Sequence, residues 1–326
     1  MIFPLKSATS WRRARIAAGR LSSALTRGGA LRVLLYHRFS ESCRSALAAQ
    51  CDFLRDHYTP ISLTEAVARL QQREALPANA VAFTVDDGHA DYLRVAHECF
   101  AKSEIPATVF VVEQFIGGNY WLWFDRLEYA VRETRLTELR IEMGKRKELT
   151  TIALNTERSR SAAVRRLQLE AKKLPSEEVT PFVRSLEQAL EVDCPEIPTP
   201  AYTALRWEEL KQIADSGTTV IGAHTATHPI LSRLKGSSLV EEIGASRHRM
   251  EKKLGIPMEL FAYPNGQPAD ISPQVVSAVK AAGFKAAFTT IEGINTRRTD
   301  PFLMRRICVR PEFPVSIVAD ALSGAR

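Results

Sequence analysis

Two adjacent carboxylates, Asp86 and Asp87, follow the apolar and β-branched run 81–85 and precede Gly88. Such a run reads as a buried strand. Neighbouring side chains within a strand point to opposite faces. At the strand's end a glycine can take the dihedrals that bring both carboxylates to one cleft. One could then bind a cation while the other accepts a proton. The same Asp-Asp-Gly triplet is also an ordinary turn between strand and helix. A second cluster is His224-Thr225-Ala226-Thr227-His228-Pro229. Histidines four apart would share a helical face, but Pro229 disfavours helix at His228. The spacing therefore predicts His224 at a strand end and His228 in the following turn, both aimed at one ion. Surface or hydrogen-bonded histidines are the plainer alternative. Together, Asp87, His224 and His228 make a two-histidine, one-carboxylate set. Such a set suits Zn²⁺ or another borderline divalent metal, with positions left for water and substrate.

The elements that must position these residues alternate between strand and helix. Residues 31–37 read as a first strand, followed by helices at 45–57 and 63–72. Strands at 81–85 and 105–112 flank a helix at about 91–103. The rhythm breaks between Gly117 and about Pro200, where a helical insertion (about 118–200) is expected, with charged helices near 157–174 and 176–191. It resumes with a helix at 207–216, a strand at 218–224, a helix at 238–254, a strand at 260–264 and a helix at 273–282. Gly217, Gly255 and Gly283 stop the helices. Strands at 286–290 and 307–310 complete the series. This pattern predicts an α/β fold with parallel strands, whose sites form at the strands' C-terminal ends. Trp121, Trp123 and Phe124 open the insertion, where they either line the site or pack against the inserted helices.

The chain has 326 residues and a formal net charge of +7. No acidic residue precedes Glu41, and residues 1–30 form a separate basic segment ahead of a domain at 31–326. Trp11, Ala14, Ala18, Leu21 and Leu25 follow helical spacing there. The segment reads either as an interfacial helix on an anionic membrane or as a loosely ordered tail. Without aromatic interleaving, nucleic acid is not expected as a partner. No apolar run suits a membrane span or signal peptide. The five cysteines are odd in number and lack Cys-x-x-Cys spacing. Reduced thiols and a cytoplasmic location, peripheral at the inner face of the membrane if residues 1–30 bind there, are expected.

Thr84-Val85-Asp86-Asp87-Gly88 resembles the first motif of the polysaccharide deacetylases, Thr-Phe-Asp-Asp-Gly, and His224-Thr225-Ala226-Thr227-His228 resembles the second. Phe261-Ala262-Tyr263-Pro264-Asn265-Gly266 is similar to the third motif of an exopolysaccharide-associated branch. Tyr36-His37-Arg38, Ile61-Ser62-Leu63 and Arg306-Ile307 fit that branch, so the resemblance spans about residues 31–310. It implies a distorted (β/α) barrel of the NodB-homology type and a metal-dependent hydrolase that removes N-acetyl groups. The substrate would be an amino-sugar polysaccharide or its lipid-linked precursor. It also implies Asp86 as general base, and Asp87, His224 and His228 as ligands of Zn²⁺, with Co²⁺, Ni²⁺ or Fe²⁺ as alternatives. Backbone N–H groups around Tyr263, Pro264 and Asn265 would hold the oxyanion. Two departures matter. Ala262 stands where many members carry an arginine that pairs with the base. Arg306 stands where many carry a general-acid histidine, and arginine cannot do acid–base work. Arg306 could then bind an anionic substrate group or pair with Asp86, and His37 becomes the candidate acid. A non-catalytic carbohydrate-binding protein on the same fold, or a hydrolase of another amide, are the alternatives.

Overall fold

Alternation along short strands separates two apolar clusters. Leu31, Val33, Ala80, Ala82, Phe110, Leu260, Ala262, Ala286, Phe288 and Met304 share one buried cluster, while their neighbours Leu34, Val81, Phe83, Val109, Ile221 and Phe261 belong to another. The first cluster fills the concave side of a curled sheet, and the second lies between the sheet and its helices. The computed structural model describes residues 29–144 and 148–324. Its strands are β1 (Arg32–Tyr36), β2 (Thr59–Pro60), β3 (Ala80–Val85), β4 (Ala107–Val111), β5 (Glu138–Met143), β6 (Glu148–Ala153), β7 (Thr219–Ala223), β8 (Leu260–Ala262), β9 (Ala286–Phe288) and β10 (Ile307–Cys308). The main sheet runs β10-β1-β3-β4-β7-β8-β9, with β2 beside β3, and every pair in it is parallel. A parallel bridge from Phe288 to Met304 spans the seam between the two ends. The result is a distorted (β/α) barrel.

The insertion differs from expectation in one respect. Besides the helices Trp123–Glu133, Glu157–Ala171 and Ser176–Ala189, it contains the antiparallel hairpin β5–β6. Leu139, Ile141 and Met143 alternate with Glu138, Arg140 and Glu142, which is strand rather than helix spacing. Leu127, Leu139, Ile152, Leu167 and Leu186 give the insertion its own small core. A second unexpected element is the helix Val315–Gly324, which buries Val318 and Leu322. The basic segment 1–28 lies outside the described residues, and with it nearly all of the interfacial-helix reading. No helix of the described residues is long and apolar enough to cross a membrane. The five cysteines are all unpaired.

One glycine in β7 is set by close approach. A Cβ at Gly222 would lie 2.5 Å from Cδ1 of Phe110, its partner on β4. The Phe110 ring also supports the Arg306 guanidinium, 5.7 Å from its centroid. Gly222→Ala should therefore cost about 1–3 kcal/mol through overpacking. The measurement is the thermal midpoint, and a variant melting with the wild type would show that the ring has room to move.

Candidate active site

The inward face of the barrel carries more than the apolar filling. Continuing the alternation past Ala82 places Thr84 and Asp86 on that face at the end of β3. The same step from Gly222 reaches His224 beyond β7. From Met304 it reaches Arg306 before β10, and from Leu35 it reaches His37 beyond β1. Asp87 would point away if the strand continued. Instead it takes φ +74°, and Gly88 follows at φ +90°. A Cβ at Gly88 would lie 2.9 Å from Ile116 Cδ1, so glycine is required there. Non-glycine residues rarely hold such dihedrals, and each costs on the order of 1–3 kcal/mol. Thr225 and His228 share the strain, at +72° and +63°. Their loop is held by Glu242, whose carboxylate accepts from the N–H groups of Ala226 and Thr227 and from the Thr227 hydroxyl.

Asp86 and Arg306 form a bidentate pair. Arg306 Nη1 donates to Oδ1 at 2.7 Å and Nη2 to Oδ2 at 2.8 Å, with both residues buried. Arg306 Nε donates to the Thr289 carbonyl at 2.8 Å. Burial alone would raise the Asp86 pKa. The Arg306 charge and hydrogen bonds, aided by His224 and His37, outweigh it and hold Asp86 at about 2. Arg306 thus pairs with Asp86 where Ala262 offers no arginine, and this contact is one of the two uses that the sequence leaves open to it.

Asp87, His224 and His228 are buried with one potential ligand atom each, all within 4.8 Å of one another. Asp87 Oδ1 lies 3.6 Å from Nε2 of both histidines. Tetrahedral ligands at about 2.1 Å from zinc stand roughly 3.4 Å apart, and the two Asp87–histidine distances match that separation. His224 Nδ1 lies 2.7 Å from the Ala262 carbonyl. A carbonyl only accepts, so Nδ1 carries the hydrogen and Nε2 keeps its lone pair. Burial lowers the pKa of both histidines, which keeps them neutral and able to ligate. Burial, together with the charges of Asp86 and Asp125, raises Asp87 well above the carboxylate range. A cation at this point would relieve that repulsion.

A chain of groups behind Asp87, buried except for the partly exposed Arg38, was not anticipated from the sequence. His89 Nε2 lies 2.7 Å from Asp125 Oδ2, and His89 Nδ1 faces Asp87 Oδ2 at 4.0 Å. Arg38 reaches Asp125 at 3.5 Å and donates to Asp91 at 2.7 Å. Asp125 sits on the inserted helix Trp123–Glu133, so the insertion helps to fix the surroundings of Asp87. The adjacency of His89 to Gly88 was the only sequence signal for it.

Comparison with known proteins now adds the family. The polysaccharide deacetylase family model matches residues 73–287. The chain belongs to the polysaccharide deacetylase family. No curated protein matches it significantly. Among solved structures, the Streptococcus pyogenes deacetylase PplD in complex with acetate is similar at a TM-score of 0.58 and 16% identity, covering 90% of this chain and 98% of that one. IcaB from Ammonifex degensii gives 0.57 at 20% identity, covering 90% and 97%. The BpsB deacetylase domain from Bordetella bronchiseptica gives 0.53 at 15%, covering 87% and 97%. At these identities the likeness is one of fold.

The cleft of this deacetylase has a volume of about 540 Å³, within the usual range for small-ligand sites. His37, Asp86, Asp87, His224, His228 and Asn265 line it. His37 is open to cleft water. Enclosure by the walls nevertheless lowers its pKa to about 4, against the pull of Asp86. Water access moderates that shift, and either way the ring is neutral at pH 7. The expected oxyanion group needs correction. Tyr263 lies on the outward face, its N–H donating to Phe288 and its hydroxyl to Phe302. Pro264 has no N–H. Asn265 alone of the three lines the cleft, at φ +58° and with a side-chain N–H₂ that has no partner among the described residues. The aromatic residues divide. Phe124 lines the cleft against His228, with ring centroids 5.1 Å apart, whereas Trp121 is buried against Tyr129 and Tyr202.

Proposed function

We propose that this chain hydrolyses the N-acetyl group of an amino-sugar glycan in a metal-dependent reaction. The observation that carries the reading is the convergence, at one end of the barrel, of a neutral two-histidine, one-carboxylate set with the Asp86–Arg306 pair. Asp87, His224 and His228 would hold the ion, with Zn²⁺ favoured by the donor types and Co²⁺, Ni²⁺ or Fe²⁺ as alternatives. Such an ion supplies acidity to a water molecule and polarises an amide carbonyl. Asp86, ionised and oriented by Arg306, accepts the proton of the attacking water. The Asn265 N–H and side-chain amide are the available donors toward the developing oxyanion. The leaving amine must take up a proton, and His37 is the cleft residue able to relay one. Because His37 is neutral in the resting cleft, the proton it delivers is one received during turnover.

The pairing of Arg306 with Asp86 supports an enzyme over a carbohydrate-binding protein on the same fold, since the partner of the base is present from another strand. The direct test is acetate release from chito-oligosaccharides after metal removal and after reloading with Zn²⁺. Acetate release that survives complete metal removal would sink the metal-dependent reading. The His37 role has its own test. Amide cleavage needs a protonated leaving group, whereas an aryl acetate does not. His37→Ala should lower amide turnover by about 10²-fold while sparing aryl-acetate hydrolysis. Equal losses on both substrates would make His37 structural.

A further inference from the structure

The inserted helix Glu157–Ala171 and its C-cap residue Lys172 reach the same cleft as the metal-ligand set, through Gln168, Leu169 and Lys172. Lys172 is half-buried, and its charge is felt by Asp87, Asp270 and His228. Its ammonium forms no ion pair or hydrogen bond among the described residues. The neighbouring cations differ. Arg306 is committed to Asp86, and Arg38 to Asp91 and Asp125. Arg233 donates to the carbonyls of Lys172 and Leu174. Arg233 thus pins the backbone that presents Lys172 while leaving the Lys172 side chain free.

The charges in the cleft leave this ammonium without a counter-ion. Asp86 is neutralised by Arg306. Asp87 faces the ion-binding point, where a divalent charge more than offsets its own. Asp270 is engaged through Oδ2 with the Gln267 N–H and is the remaining carboxylate that lines the cleft. A half-buried lysine whose one remaining carboxylate neighbour, Asp270, is hydrogen-bonded elsewhere and forms no ion pair with it is incompletely compensated once the metal is bound, and a substrate anion would complete it.

We propose that Lys172 is a specificity-determining residue that binds an anionic group, a carboxylate or a phosphate, on or next to the acetamido sugar. This deacetylase would then prefer an acidic glycan or phosphosugar to a neutral oligomer. The inference rests on the deacetylase reading, since it concerns the same cleft. The test compares binding to the zinc-loaded protein of three probes: neutral chitotetraose, a hyaluronan tetrasaccharide that carries carboxylates, and N-acetylglucosamine 1-phosphate. Wild-type protein should bind at least one anionic probe about tenfold more tightly than chitotetraose, with the preference weakening in salt. Lys172→Gln should erase that preference without weakening chitotetraose binding, and Lys172→Arg should retain most of it. A Lys172-dependent preference for the tetrasaccharide identifies a uronate. The same result for the sugar phosphate alone identifies a phosphorylated or lipid-phosphate substrate. Equal affinity for neutral and anionic probes, or an equal loss for all three in Lys172→Gln, overturns the proposal. Selective binding without any acetate release would leave it standing while sinking the deacetylase reading.

Discussion

The double variant His224→Ala, His228→Ala is expected to purify without stoichiometric divalent metal and to lose amide turnover by at least about 10³-fold. Lewis-acid stabilisation of a hydrolytic transition state is worth several kcal/mol, and each 1.4 kcal/mol is a factor of ten. The geometry leaves little compensation. Asp87 would remain as the single ligand, buried and already carrying the repulsion of Asp86 and Asp125. One carboxylate does not hold zinc, whose sites use three protein ligands or more. The stability readout is independent of activity. Wild-type protein at a hundredfold excess of Zn²⁺ over its Kd gains about 2.7 kcal/mol, whereas the double variant gains nothing. His224 also donates to the Ala262 carbonyl, so its loss leaves that buried acceptor unpaired. His228→Asn is the gentler companion, because no partner of His228 Nδ1 is lost. Full metal occupancy in the double variant would move the ion elsewhere.

Much of the fold was legible because each strand is short, apolar and closed by a turn residue. The strand ends at 85, 223 and 262 fall within two residues of the reading from sequence. With parallel strands, those ends converge, and Asp86, Asp87, His224 and His228 come together without further information. The Asp86–Arg306 pair is of another kind. The two residues are 220 positions apart, and their contact depends on strand order, which places β10 and β3 on either side of β1. Sequence allowed two uses of Arg306 and could not choose between them. Tyr263 failed for a simpler reason. Counting along β8 from the buried inward Ala262 places Tyr263 outward and Pro264 inward without an N–H, and Asn265 reaches the cleft only because the chain turns there at φ +58°. The β5–β6 hairpin was hidden by its charge. The outer positions of β5 are Glu138, Arg140 and Glu142, which read as helix formers, and the alternating Leu139, Ile141 and Met143 are what betray that strand. His89, Asp125 and Lys172 were missed because each is an isolated polar residue in the sequence, and nothing in the insertion's sequence shows that it brings Asp125 to His89 and Lys172 to the cleft.

Arg306→Met should produce the second large effect, on both stability and pH dependence. The variant leaves Asp86 ionised, buried and unpaired, and removing one partner of such a pair typically costs about 3–5 kcal/mol. The sign of the pH dependence follows from the direction of the shift. In the wild type, Asp86 is depressed to about 2 from an ordinary value of 3.8. Its ionised form thus adds stability above pH 4, which is lost as the pH falls toward 2. In Arg306→Met the burial that opposes ionisation is no longer outweighed, so the Asp86 pKa rises above the ordinary range. Stability should then improve on acidification, the reverse of the wild type, and the acidic limb of the turnover profile should move to higher pH. Asp86→Asn with Arg306→Met removes both charges and should recover most of the stability, since an uncharged pair carries no comparable burial cost. It should not recover activity, because Asn cannot accept the proton. Thermal melts from pH 3 to 8 and rate profiles of the three proteins decide the matter. An Arg306→Met protein with wild-type stability and an unmoved acidic limb would mean that Asp86 keeps its charge by other means, and that Arg306 serves the substrate rather than the base.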